Sequence, residues 1–196
     1  MVRTFRKGVI VVKPVFYIAV AFTFLVVPVR WIIGWFLAVF VHEFSHYLAL
    51  HLQKVPVLCV TVGAAGAKIQ TGMMTAPQEI ICALAGPLGG LILLSLLQIF
   101  PYASLCALGQ SLFNLLPIYP MDGGRALTGM CVMLAGERSG VLISKVISYF
   151  FLLLLLCATL LITLHYRLGF QPLIIMALLV VRAVKIPCKD EQQIVQ

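Results

Sequence analysis

Trp31-Ile-Ile-Gly-Trp-Phe-Leu-Ala-Val-Phe-Val-His-Glu-Phe-Ser-His-Tyr-Leu-Ala-Leu-His51 decides how this chain is read. At 1.5 Å per residue the segment is long enough, as a helix, to cross about 30 Å of hydrocarbon. Within it stand His42, Glu43 and His46. The i, i+4 spacing of the histidines puts both imidazoles on one helix face, one turn apart. The bland reading is that two histidines and a glutamate satisfy one another inside a helix bundle. Ionisable groups at membrane depth are costly and tend to be functional, which favours a metal-ligating role instead.

The rest of the chain agrees with a bilayer setting. Of its 196 residues 62% are hydrophobic and only 10% charged, outside the range of ordinary soluble domains. Six spans are expected, at 14–29, 31–51, 78–100, 104–120, 141–164 and 170–186. The predicted fold is therefore an all-α polytopic membrane protein of about six transmembrane helices, a single membrane-embedded domain over 1–196 with its catalytic core at 31–127. The basic start of Met1 to Val29 resembles a signal peptide, but it lacks an obvious small-residue cleavage site and is read as a retained first helix. An even number of spans puts both termini on one side. Of the 14 lysines and arginines, Arg30 and Arg167 fall on one side and the rest on the other, which predicts cytoplasmic termini. The net charge of +8 is thus explained by topology, and no nucleic-acid partner is expected, because the basic residues form no dense patch. The six cysteines are scattered with no C-x-x-C pair; they suggest neither a disulfide framework nor a thiolate zinc site.

Between the second and third spans, Val55 to Gly72 holds a β-branched run, then glycines, then a partly alternating segment. The pattern predicts a short β-hairpin at the cytoplasmic interface or lining a cavity, since open sheet edges are not tolerated facing lipid. An unpaired edge there could accept an extended peptide. A connecting hairpin without a ligand explains the pattern equally well.

A catalytic zinc needs a third protein ligand besides two histidines, and an open position. Outside the C-terminal tail the other acidic side chains are Glu79, Asp122 and Glu137. Asp122 stands in Asn114-Leu-Leu-Pro-Ile-Tyr-Pro-Met-Asp-Gly-Gly-Arg125. Pro117 and Pro120 must break a helix there, and Gly123 and Gly124 let backbone approach a ligand closely. Counted from the outer face, His42 and His46 lie roughly 17 and 23 Å deep and Asp122 about 27 Å or less, so the three can meet. Glu43, beside the metal face, could take a proton from the attacking water and pass it to the departing amine.

H-E-x-x-H at 42–46 followed by N-x-x-P-x-x-P-x-D-G at 114–123 resembles the two signatures of the site-2 protease family of intramembrane zinc metalloproteases. Both stand in the expected order, one span apart, and the likeness covers roughly Trp31 to Leu127. The resemblance implies one Zn2+ per chain held by His42, His46 and Asp122, with Glu43 as catalytic base and Asn114 contacting the substrate or the developing oxyanion. It implies hydrolysis of peptide bonds in membrane-spanning or membrane-associated substrates, such as regulatory or pro-sigma factors, in a bacterial cell membrane, and admits an inhibitory membrane partner. The layout is most similar to the branch of the sporulation pro-sigma-factor protease, without the CBS domain that branch commonly carries.

Other residues carry less. Gly86-Pro87-Leu88-Gly89-Gly90 resembles the family's glycine-proline stretch, and close helix packing accounts for it. His51 reads as interfacial and His165 as remote from the metal. Arg125 either neutralises the site or anchors to lipid phosphate, and anchoring is the simpler expectation. Phe36, Phe40 and Phe44 recur at helical spacing, as on a lipid-facing or packing face. Two other classes of function stay open: a metal transporter, though Ile32 to Val41 and Leu105 to Leu112 supply few polar residues toward the outer face, and an inactive relative that binds membrane partners, though every catalytic position is filled.

Overall fold

The computed structural model describes residues 9–12, 21, 23–25, 27–63, 66–166, 172–173, 176–177 and 179–180, with backbone alone at 9–12, 61–63 and 66–68. The chain divides into two compact units, Met1–Asn114 and Leu115–Gln196. Among the described residues, three helices are long and apolar enough to cross a membrane: Val29–Leu52, Ala76–Leu96 with its last turn included, and Glu137–His165. They correspond to the second, third and fifth expected spans. The first and sixth, 14–29 and 170–186, lie largely outside the described residues.

In the first unit, strand β1 (Val9–Val12) precedes helix α1 (Val29–Leu52), and the hairpin β2 (Val57–Gly63) and β3 (Gly66–Thr71) follows. Ile32, Ala38, Ala49, Leu50 and both site histidines lie on the buried stripe of α1. Gly34 and Ala38 keep that stripe thin, and a methyl group on Gly34 would stand 2.8 Å from the Tyr102 main chain. The opposite face presents Phe36, Phe40 and Phe44 outward, with Phe40 stacked on Phe44. These are the aromatics whose spacing predicts an apolar outer face. The helix ends where Lys54 turns left-handed at φ 57°, which lets the Val55 N–H donate to the Leu50 carbonyl at 3.0 Å and so satisfies an orphan acceptor of the last turn.

The expected hairpin forms, with Cys59 opposite Gln70 and Val60 opposite Ile69. Sequence reading missed its third strand: β1 pairs in parallel with β2, in the order β1-β2-β3. Parallel strands need a long crossover, so neither partner is close enough in sequence for a turn signal to announce the pairing.

Helix α2 (Ala76–Ile92) starts at Thr75, whose main-chain N–H donates to the Gln78 side chain at 2.9 Å. It contains Pro87 and runs into a 3₁₀ turn at Leu93–Leu96. Helix α3 (Pro101–Asn114) packs back on it, and the fully buried Ser104 hydroxyl donates to the Leu93 carbonyl at 2.8 Å. The expected span 104–120 therefore stops at Asn114. Pro117 explains the break, since its ring collides with a helical carbonyl four residues back and disfavours helical geometry in the residue before it.

In the second unit, helix α4 (Asp122–Ala135) is joined through Gly136, at φ 78°, to helix α5 (Glu137–His165). The separate helix α4 was not expected from the sequence. The two cross closely: a methyl on Gly140 would meet the Cys131 main chain at 2.5 Å, and Thr128 and Ser144 share a hydroxyl hydrogen bond at 3.1 Å. Small residues let membrane helices approach in this way. Ile118, Met121, Leu152, Met176 and Leu179 form the unit's core.

Candidate metal centre

Both histidines of the motif are buried on the inner stripe of α1, at 3% and 6% exposure. Such groups must find partners within the protein. The His46 Nδ1 lies 2.7 Å from the main-chain carbonyl of Cys82 on α2. A carbonyl only accepts, so Nδ1 carries the proton and the Nε2 of the neutral ring presents its lone pair. That Nε2 lies 3.2 Å from the Nε2 of His42, with the rings nearly perpendicular.

The spacing tests whether a metal fits. Two Zn–N bonds of about 2.0–2.1 Å at a tetrahedral angle separate the nitrogens by about 3.3 Å. The observed pair meets that value without rearrangement. A ring-to-ring N–H···N hydrogen bond has a similar length, so the same spacing serves either contact. The outward Nδ1–H···O=C bond on His46 is the usual means by which proteins fix a ligating imidazole.

Asn114, the last residue of α3, brings its side-chain Nδ2 to 3.2 Å from His42 Nε2. The residue expected to contact the reacting carbonyl therefore shares the neighbourhood of the two rings. Glu43 is half-buried, one position round the helix from His42. His51 lies on the exposed end of α1, stacked against Tyr47, and takes no part.

Asp122 belongs to the second unit. It is buried, at 8% exposure, as the first residue of α4, a position where the helix dipole favours negative charge. The Pro-x-x-Pro loop before it is tied down by Ser148 of α5, whose hydroxyl accepts from the Tyr119 N–H at 3.3 Å; Tyr119–Pro120 is a cis peptide bond. Gly123 and Gly124 let the loop fold back, since methyl groups there would strike the main chain of Leu115 and Ile118. The close approach expected of these glycines is thus to the chain's own backbone. Arg125, expected either to neutralise the site or to anchor to lipid phosphate, stands 3.7 Å from the Asp122 carboxylate. One turn along a helix is the distance at which such a pair meets. His165 is exposed at the end of α5, against the Tyr166 ring.

Two contributors were not legible in the sequence. The Cys82 carbonyl is a main-chain group, and no residue-type pattern announces it. Ser148 looked like any small residue of an apolar helix.

Long apolar helices and a buried pair of converging imidazoles define a helical membrane protein with two histidine nitrogens at metal-ligand spacing in its first unit. Among solved structures, the chain has the fold of the site-2 protease from Methanocaldococcus jannaschii, with a TM-score of 0.65, 22% sequence identity and 94% of each chain covered. No family model matches the sequence, and no curated protein matches it.

Proposed function

We propose that the protein is an intramembrane zinc metalloendopeptidase of the site-2 protease type, its two units acting as one catalytic domain. The observation that carries this reading is the His42–His46 pair at 3.2 Å, with His46 oriented by the Cys82 carbonyl. His42, His46 and Asp122 are buried and offer two imidazole nitrogens and a carboxylate oxygen, a donor set suited to one ion. Two histidines and a carboxylate, with a fourth position open, are the protein ligands of several zinc peptidases. When bound there, zinc would supply Lewis acidity toward the scissile carbonyl and the attacking water.

The chain's own residues would do the remainder. Glu43 takes the proton of the attacking water and returns it to the leaving amine. The Asn114 amide, next to His42, donates to the oxyanion that develops on the substrate carbonyl. A substrate helix must unwind before its carbonyls can be attacked, and β3, at the edge of the three-stranded sheet, is suited to pair with the unwound strand. The substrates are single-span or membrane-associated proteins, regulatory factors among them. In a bacterial cell membrane both termini would be cytoplasmic, which reporter fusions at each end would read directly.

The test compares the unmodified protein with Glu43→Gln, each purified in detergent, assayed for bound zinc and offered a panel of single-span membrane proteins from the same organism. Both should hold one zinc per chain, and cleavage should fall by about 100- to 10,000-fold in the variant, the range of general acid–base catalysis. Equal cleavage by the glutamine form would remove Glu43 from the base role.

A further inference from the structure

The geometry points to the turn Cys82–Gly86 of α2 as the cradle that sets His46 as a metal ligand, with Gly86 as a positioning residue for its ring. The inference rests on the metalloprotease reading above. Cys82 and Gly86 are four residues apart and so face the same way from α2. Cys82 contributes its carbonyl, 2.7 Å from His46 Nδ1. Gly86 contributes the lack of a side chain: a methyl there would land on His46 Nε2 and 2.6 Å from Cε1. The ring is thus held by a hydrogen bond at one edge and by a bare Cα at the other.

No soft neighbour can absorb an added methyl. The atoms in its way belong to an imidazole that is buried and already bonded. To make room the ring must turn, which breaks the Cys82 bond or draws Nε2 away from His42; either change undoes the ligand geometry. Gly89 offers the comparison on the same helix. A methyl there would meet Ser45 Oγ, a hydroxyl bonded within its own helix to Val41 at 2.7 Å. Gly89 is therefore a packing glycine beside a residue that ligates nothing, whereas Gly86 is a packing glycine beside a ligand. Gly109 meets nothing within 4 Å.

The full chain is purified in detergent as wild type, Gly86→Ala, Gly89→Ala, Gly109→Ala and Cys82→Ala. Zinc affinity is measured by competition with a chromophoric chelator, the visible spectrum is recorded after cobalt replaces zinc, and thermal unfolding is followed without metal. Gly86→Ala should weaken zinc by about 10- to 100-fold, as loss of a ligand-orienting partner does, and should alter the cobalt spectrum. Gly89→Ala should unfold at lower temperature yet keep both affinity and spectrum. Gly109→Ala should match wild type, and Cys82→Ala should keep its zinc because only the main chain is used. If Gly86→Ala does not fold, nitrogen-15 spectra of the metal-free wild type serve instead: His46 should carry its proton on Nδ1, and a proton on Nε2 with Nδ1 bare overturns the cradle. Wild-type affinity and spectrum in Gly86→Ala, or equal metal loss in the Gly86 and Gly89 variants, also overturns it. A wild type that takes up no zinc sinks the metalloprotease reading itself, a result distinct from either.

Discussion

Asp122 and Arg125 show how much a single side chain's setting matters. A buried carboxylate stands at a helix N-terminus with a guanidinium 3.7 Å away, and a helix N-terminus is where negative charge is favoured. Asp122→Ala would remove an anionic donor and leave the arginine beside an apolar methyl. Zinc affinity should fall by more than the about 10- to 100-fold typical of a partner that only orients a ligand, as read by chelator competition. An unchanged affinity would exclude Asp122 from the ligand set. At this scale the sequence was informative, because H-E-x-x-H couples residue type to helical spacing. It was silent on Arg125, since an arginine near a membrane surface looks the same whether it faces a phosphate or a neighbouring carboxylate.

Among the elements, the break after α3 and the restart at α4 govern where Asp122 stands. Pro117 ends the first helix, and Gly123 and Gly124 allow the loop to lie against the start of the second. Gly124→Ala puts a methyl into the Ile118–Tyr119 main chain, which cannot move as a side-chain tip would. Overpacking of this kind costs about 1–3 kcal/mol, so a lower unfolding temperature in detergent is expected; unaltered stability would mean that the loop has room the structure does not show. The prolines were legible as breakers. That a new helix begins at residue 122 was not, because Asp-Gly-Gly reads as loop until its backbone is seen packed against the preceding carbonyls.

For the whole molecule the bilayer is the solvent, and the exposed leucines of α5 follow from it. Leu153, Leu154 and Leu161 are each more than half exposed, a costly arrangement in water and a neutral one in hydrocarbon. Leu154→Arg should cost about 2.5–3.5 kcal/mol of insertion near a helix centre, seen as a smaller share of protein resisting alkaline extraction from membranes. Full resistance would argue that this face of α5 is covered by protein instead of lipid.

Local chemistry was settled by the chain alone: apolar run length marks three of the crossing helices, the i, i+4 rule puts two imidazoles on one face, and two prolines break the helix ahead of Asp122. Those features depend on neighbours a few residues apart, so they survive reading in one dimension. Only the tertiary structure decided that the Cys82 carbonyl selects the His46 tautomer, that Gly86 and not another glycine lies under the ring, that Asn114 reaches His42, and that β1 joins the hairpin. Each of these joins residues far apart in the chain, and most use main-chain atoms or the absence of a side chain. Every residue carries the same main chain, so its role emerges only when folding brings a partner to it.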